Sequence, residues 1–409
     1  MPQLLSINNY YYRRAGAETV FFEHNRLFEG AGWEVVPFSM QHPLNQPSQW
    51  SDHFAEGDAA KEVGSPIEKV SRAITAVYSA DAARRIRCLI ATIKPQLAHA
   101  HNIYHHLSPS VLVELRRQQI PIVMTLHDLK LVCPAYKMHT GGAICESCRG
   151  GAIRNVIKNR CIKNSVTLST LVWLESTLHR ALNLYMGTVT RFVVPSRFFL
   201  DKFAEWGVDT SRFVHIPNFV DVDSFGPGDA GPGDAFVYVG RLAPEKGIAT
   251  LIKAAAQARV RLRIVGTGPE EASLRRLAAE TGSDAEFTGY LSGSALNQAI
   301  ASARAVVVPS EWYENAPISV LEAAALGRPI IGANIGGIPE LIRNGETGFV
   351  FPSGNAESLV EVLAKVQRMP AAELRSLGSA GREWVRTQFS PAAYQQRMLH
   401  LYRGMGVAA

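Results

Sequence analysis

Glu314 and Glu322 stand eight residues apart in Glu-Asn-Ala-Pro-Ile-Ser-Val-Leu-Glu, just after the apolar run Ala305–Val308. Pro317 suits a first helical turn, so the pattern predicts a helix over Ile318–Gly327 that opens directly behind a strand. Its free N–H groups and positive dipole end would face an anion such as a diphosphate. Glu314 would lie at the mouth, and Glu322, about two turns further in, could accept hydrogen bonds from ribose hydroxyls. Arg241 and Lys246, in Gly240-Arg-Leu-Ala-Pro-Glu-Lys-Gly247, follow another apolar run. Two cations there can neutralise a diphosphate without a metal and stabilise charge as it develops on a leaving group.

Other segments fall at similar places. Gly266-Thr-Gly-Pro269 follows a strand-like run but lacks the third glycine of a dinucleotide fingerprint, since position 271 is Glu. It reads as a tight turn against a nucleotide or as a structural turn, and Tyr290 with Leu291 would border the same nucleotide. Arg13-Arg-Ala-Gly-Ala-Glu18 offers Gly16 for close backbone approach and two arginines for an anionic acceptor. Thr125-Leu-His-Asp128 ends a strand and would set His127 at a cleft edge, where it could position a hydroxyl or share a proton. Cys133, Cys145, Cys148 and Cys161 form Cys-x11-Cys-x2-Cys-x12-Cys. A structural zinc site pinning a loop is one reading, with Lys137, Arg149, Arg154, Lys158 and Arg160 favouring thiolates; buried reduced thiols are the other. The run Leu168–Leu178 carries apolar residues at helical spacing and is expected to pack in the core, with membrane contact the lesser alternative.

The elements that must position these residues alternate between apolar β-rich runs and amphipathic stretches, the pattern of βαβ units with parallel sheets. Strands are predicted at Leu4–Asn8, Glu34–Phe38, Leu97–His101, Ile122–Leu126, Phe192–Pro195 and Val214–Ile216. A second set follows at Phe236–Val239, Arg261–Val265, Glu286–Thr288, Ala305–Val308, Ile330–Gly332 and Gly348–Val350. The segment from Phe225 to Asp234 is rich in Gly and Pro and marks a linker or exposed loop. The boundary is placed at 216/217.

At 409 residues the chain exceeds one ordinary core, which stops growing at roughly 250 to 300 residues. Its 47% apolar and 19% charged composition fits packed domains and excludes a fibrous or disordered chain. Residues 1–216 carry 24 Lys and Arg against 17 Asp and Glu, and residues 217–409 carry 18 against 19. The basic first half suits an anionic lipid or membrane face, while no nucleic-acid motif accompanies it. The start Met-Pro-Gln-Leu-Leu-Ser-Ile-Asn lacks a secretory pattern, and no run is apolar enough to span a bilayer, so a cytoplasmic address is expected.

In order, Gly16-Ala-Glu18, His99-Ala-His-Asn102, Thr125-Leu-His-Asp128, Val194-Pro-Ser196, Pro217-Asn-Phe-Val-Asp221, Gly240-Arg241 with Glu245-Lys-Gly247, Gly266-Thr-Gly-Pro269, Glu314 to Glu322 and Gly336-Gly-Ile-Pro-Glu340 resemble the family 4 retaining glycosyltransferases. The likeness covers nearly the whole chain and extends to a subgroup with a Cys-rich insert. It implies the GT-B fold: two Rossmann-like doubly wound domains facing each other across a cleft. Residues 1–216 would bind the acceptor and 217–389 the nucleotide-sugar, with the final helix, 390–409, packing back on the first domain. The likeness implies that Arg241 and Lys246 bind the donor diphosphate and Glu322 the ribose. Glu314 and the backbone of Asn315, Ala316, Pro317 and Ile318 would hold the sugar, beside Gly240, Gly266 and Gly268. Gly16 and His127 would belong to the active centre. A front-face reaction with no cofactor is expected, the acceptor being a glycan or a lipid-linked glycan of a surface polysaccharide pathway. Two departures stand out, Ala15-Gly16 for a glycine pair and Phe219 for the glycine usual after Asn218. Glycan phosphorylases, nucleotide-sugar epimerases and non-catalytic sugar-nucleotide binders are the competing readings.

Overall fold

The computed structural model describes residues 1–57, 75–226 and 231–407, so part of the Gly/Pro-rich segment, 227–230, and the last two residues of the chain lie outside the described residues. Among the described residues fourteen strands are formed. The first eight are β1 (Gln3–Ile7), β2 (Glu34–Phe38), β3 (Leu97–Ala100), β4 (Ile122–Thr125), β5 (His139–Thr140), β6 (Ala143–Ile144), β7 (Arg191–Val194) and β8 (Phe213–His215). The rest are β9 (Ala235–Val239), β10 (Arg261–Val265), β11 (Ala285–Gly289), β12 (Ala305–Val308), β13 (Ile330–Asn334) and β14 (Gly348–Pro352). Two six-stranded sheets result, ordered β2-β1-β3-β4-β7-β8 and β11-β10-β9-β12-β13-β14, and their ladders are parallel. Helices cover both faces, which is why the strands read as continuous apolar runs. All twelve predicted strands are there, with some ends shifted by one residue and β13 and β14 running two residues further.

The last helix, Pro391–Arg403, lies on the first sheet. Its Tyr394, Met398, Leu401 and Tyr402 pack into one buried cluster with Leu4, Phe28, Trp33, Leu97 and Val123. Their spacing puts them on one face of the helix.

Two expectations are overturned in the first domain. The helix Val166–Ala181 is turned opposite to core packing: Val166, Leu168, Leu171, Leu174 and Leu178, with Leu182 just beyond, are 36–64% exposed, whereas Ser169, Glu175, Ser176 and His179 are buried. Polar anchoring sets that rotation. Glu175 meets the buried Lys130 at 3.1 Å, a ring nitrogen of His179 lies 2.7 Å from the Val77 carbonyl, and Ser169 Oγ accepts from Ile162 N–H. A buried charge stripped of its partner costs more than a few leucines left in water.

The second is the zinc reading of the cysteines, while the reading as reduced thiols stands. Among the described residues no group of three or more His, Cys, Asp or Glu is arranged to hold a metal, and Cys133, Cys145, Cys148 and Cys161 are all unbridged. Burial outweighs the nearby cations: it raises the Cys133 thiol, lifts Cys148 to about 12 and Cys161 to about 11, with neighbouring cysteines adding to each rise. Cys145 Sγ donates to Ser147 Oγ at 3.4 Å. The loop is pinned instead by Cys133, Val156, Ile157 and Ile162 in the core and by Lys202 bonded to Glu146.

Candidate active site

The chain order of the second sheet reverses at β9, which lies between β10 and β12. Loops leaving neighbouring strands diverge at such a point and open a crevice at their C-terminal ends. Arg241 and Lys246 follow β9, and Glu314 follows β12, so the predicted residues are delivered to one crevice. Lys246 closes the short turn Pro244–Lys246, after which Gly247 takes φ +67°. A Cβ on Gly247 would lie 2.0 Å from the Pro309 carbonyl oxygen, so only glycine lets this turn sit against the β12 loop. Lys246 Nζ then donates to Glu314 Oε1 at 2.7 Å and lies 4.8 Å from the Trp312 ring centre.

Glu314 is buried, which opposes its charge, yet Lys246 and the Ser310 hydroxyl, itself donating at 2.7 Å, hold the carboxyl below its ordinary range. Its backbone is clamped from behind, as Gly337 N–H donates to the Glu314 carbonyl at 2.8 Å. The helix Ile318–Ala325 opens after Pro317. Glu322 is half-buried on it; burial raises this carboxyl, and Arg13, from the first domain, acts against the rise.

The turns after β9 and β10 stack on each other. A Cβ on Gly266, whose φ is +136°, would lie 1.9 Å from the Gly240 oxygen, and one on Gly268 would lie 2.2 Å from the Leu242 oxygen. Gly266 N–H also donates to the Gly289 carbonyl, bringing the β11 turn with exposed Tyr290 and half-buried Leu291 alongside. Arg241 is exposed in the β9 turn and close enough to Tyr136, across in the first domain, to act on its hydroxyl.

Across the gap, the first sheet reverses at β1, between β2 and β3. Gly16 begins the helix Gly16–Gly30 and faces Ile318, whose Cγ1 would be 3.9 Å from a Cβ there. The N-termini of two helices, one per domain, therefore meet. Asn315 bridges the domains with its side chain: Nδ2 donates to the Leu126 carbonyl at 3.0 Å and Oδ1 accepts from Ser196 Oγ at 2.8 Å. Ala316 accepts at its carbonyl from Asn218 Nδ2 at 2.9 Å. Glu340 accepts from the N–H groups of Arg197 and Phe198, capping a first-domain helix from the second domain. His127 follows β4, half-buried beside that bridge, and its ring is bonded to His101. Asp128 accepts from Lys130 N–H in a local turn, and burial raises its carboxyl to about 6.

Sequence reasoning assigned the Asn315 backbone but missed the bridging role of its side chain, along with Ser310, the Glu340 cap and His101. The alternation of His99 and His101 on one strand face was the available signal for the last of these.

Two parallel six-stranded sheets whose strand-end loops meet across a crevice define the GT-B architecture. A family model described as Glycosyltransferase Family 4 matches residues 14–224, just over half of the chain, and one described as Glycosyl transferases group 1 matches residues 224–384. The chain belongs to glycosyltransferase family 4. It is 38% identical over 153 residues to sulfoquinovosyl transferase SQD2 of Arabidopsis thaliana, covering 36% of this chain and 29% of that protein. It is 30% identical over 235 residues to a GDP-mannose-dependent alpha-(1-6)-phosphatidylinositol monomannoside mannosyltransferase of Mycobacterium tuberculosis, covering 51% of this chain and 60% of the relative. Both matches span less than two thirds of the relatives' own length. Among solved structures, sucrose-phosphate synthase from Thermosynechococcus elongatus aligns over 100% of both chains with a TM-score of 0.73 and 23% identity. Anabaena Alr3699/HepE in complex with UDP-glucose aligns over 98% of this chain and 99% of its own, with a TM-score of 0.67 and 17% identity.

Proposed function

We propose that the chain is a retaining glycosyltransferase that moves a hexosyl or N-acetylhexosaminyl unit from a nucleoside-diphosphate sugar to a glycan or lipid-linked acceptor, in surface polysaccharide synthesis. The observation that carries this reading is the delivery of Arg241, Lys246 and Glu314 by loops from adjacent strands at the reversal point of the second sheet. Residues 1–216 serve the acceptor and 217–389 the donor, and 390–409 return to the first domain. Arg241 and Lys246 hold the diphosphate and Glu322 the ribose. The loop Glu314–Ile318 holds the sugar; Gly240, Gly266, Gly268, Tyr290 and Leu291 border the nucleotide; Gly16 and His127 face the reacting carbon.

In the reaction, the bond from the anomeric carbon to the phosphate oxygen breaks while the acceptor oxygen bonds to the same face. The departing phosphate takes the acceptor proton. Arg241 and Lys246 stabilise the charge it gains, and no protein nucleophile is used. The UDP-glucose complex of the Anabaena protein makes that donor the first to try, and the mannosyltransferase relative makes GDP-mannose the second. We place the protein in the cytoplasm, with peripheral contact at the inner face of the membrane. The exposed leucines of the helix Val166–Ala181 and the basic balance of residues 1–216 support that contact.

The test incubates the purified chain with each donor and with alkyl glycosides or a polyprenyl-diphosphate-linked sugar, reading the product anomer by NMR. Sugar release only when an acceptor is present, with retained configuration, is expected. Release without an acceptor, or phosphate-dependent release, would replace transfer with epimerase or phosphorylase chemistry. Arg241→Ala should lower donor-saturated turnover about a hundredfold; an unchanged rate would remove Arg241 from this role.

A further inference from the structure

Three buried histidines and the half-buried His127 form a row behind the cleft. His99, on β3, bonds on both ring nitrogens, Nδ1 to the Tyr402 hydroxyl at 2.6 Å and Nε2 to Thr125 Oγ1 at 2.8 Å. The His101 ring stacks on His99, with centres 4.7 Å apart and planes at 16°, and the His127 ring meets its edge, with centres 5.2 Å apart and planes at 20°. His24 meets His99 edge-on at 4.6 Å and bonds the Tyr394 hydroxyl. The row thus runs from the last helix, which carries Tyr394 and Tyr402, to the ring at the cleft.

The link that matters joins His101 Nδ1 to His127 Nε2 at 2.9 Å. One hydrogen lies between two nitrogens, so one neutral ring donates and the other accepts. Burial keeps both rings uncharged at neutral pH, depressing His101 well below its ordinary value and His127 to about 4. The other nitrogen of His101, Nε2, is sealed in the interior with no partner. If the hydrogen of His101 sat there, a buried N–H would go unbonded; if it sits on Nδ1, only a lone pair is left unmatched. Orphaned buried N–H groups are the rarer and costlier defect. His127 Nδ1 has no hydrogen bond among the described residues and is not among the sealed nitrogens, which fits a ring edge open to the cleft.

We propose that His101 is a positioning residue for His127: its Nδ1–H donates to His127 Nε2, so that His127 is protonated on Nδ1 and presents a hydrogen-bond donor to the cleft. His127 then has no free lone pair with which to take a proton from an acceptor. It can instead donate to an oxygen of the bound sugar, which agrees with leaving the acceptor proton to the departing phosphate. The proposal's use in transfer rests on the reading of the cleft above; the tautomer itself does not.

The test labels histidine with 15N in the full chain and records long-range 1H–15N correlations at pH 7, with His127 assigned by its loss in His127→Ala. The wild-type protein should show His127 protonated on Nδ1 and accepting on Nε2. Protonation on Nε2, or a cationic ring, would overturn the proposal whether or not transfer activity is found. His101→Asn places an amide N–H where Nδ1–H stood and should preserve the tautomer and kcat. His101→Ala should release a mixture of tautomers and lower kcat on the order of tenfold, the loss of one aimed hydrogen bond, with donor KM little changed. The wild-type tautomer with unchanged kcat in His101→Ala would equally sink it. An absence of transfer in the wild-type protein would count against the function and leave the NMR result to decide the tautomer.

Discussion

At the scale of single residues the cleft is organised by the pair Lys246 and Glu314. With the lysine side chain 22% exposed and the glutamate 10%, the two charges are largely removed from water and each depends on the other. Lys246→Met should strip the partner from a buried carboxylate and cost on the order of 2 to 3 kcal/mol, read as a lower urea midpoint. Adding Glu314→Gln should recover much of that loss, because the amide still meets Ser310. An unchanged midpoint in Lys246→Met would show that the pair holds nothing. Glu314 itself has a depressed carboxyl, so its contribution is present above the ordinary glutamate range and fades as pH falls through its lower folded value. Arg241 stays exposed in the β9 turn, close enough to Tyr136 of the first domain to act on its hydroxyl.

At the scale of elements, the helix Gly16–Gly30 supplies His24, β3 supplies His99 and the residue just past β3 is His101, and the burial of such imidazoles makes stability depend on pH. Burial lowers His24 to about 3 and His127 to about 4, against about 6.5 in an unfolded chain. Between those values the unfolded chain takes up protons that the folded one refuses, so stability falls as pH drops. From pH 7 to 5 each such ring should remove about 2 kcal/mol. Asp128, raised to about 6, works in the opposite direction and restores about 1 kcal/mol. The net expectation is a clear drop in urea midpoint at pH 5, and an equal midpoint at the two pH values would contradict the neutral row.

The helix Val166–Ala181 yields a second expectation. Leu171→Ser, Leu174→Ser and Leu178→Ser together should cost less than truncating a single buried leucine, roughly 2 to 5 kcal/mol, because these side chains are 36–43% exposed, yet should reduce sedimentation with anionic phosphatidylglycerol vesicles. A collapse of folding would return them to the core, and undiminished sedimentation would end the membrane role. Apolar periodicity shows that this stretch is helical but not which face turns inward, since Glu175 finds Lys130, 45 residues away, only in the fold. The strands were legible because parallel strands buried on both faces are apolar throughout. The cysteines misled because their spacing says nothing of the burial that keeps them as thiols.

Across the whole molecule, the two domains are tied by side chains from loops at strand ends. Lys137 reaches Glu245 at 2.8 Å, Tyr313 donates to Glu146 at 2.9 Å, and Asn315 and Glu340 complete the tie. These contacts were not legible, since each pairs residues more than a hundred positions apart whose types suit many partners. The cationic turn, the helix mouth and the two-sheet plan were legible, since each is a local pattern of turn, charge and apolar run. The proposed phosphate ligands after β9 and sugar ligands after β12 both belong to the second domain, so on that proposal nucleotide-sugar recognition is a property of the second domain.

The most direct test is a thermal-shift and calorimetric titration of the full chain with a panel of nucleoside-diphosphate sugars, beside Arg241→Ala and Glu322→Gln. One member of the panel at 100 times its Kd should add about 2.7 kcal/mol of stability to the wild-type protein, and both variants should bind it at least tenfold more weakly. If no nucleotide-sugar stabilises the wild-type chain, or if both variants bind with unaltered affinity, the crevice between the sheets is not a donor site.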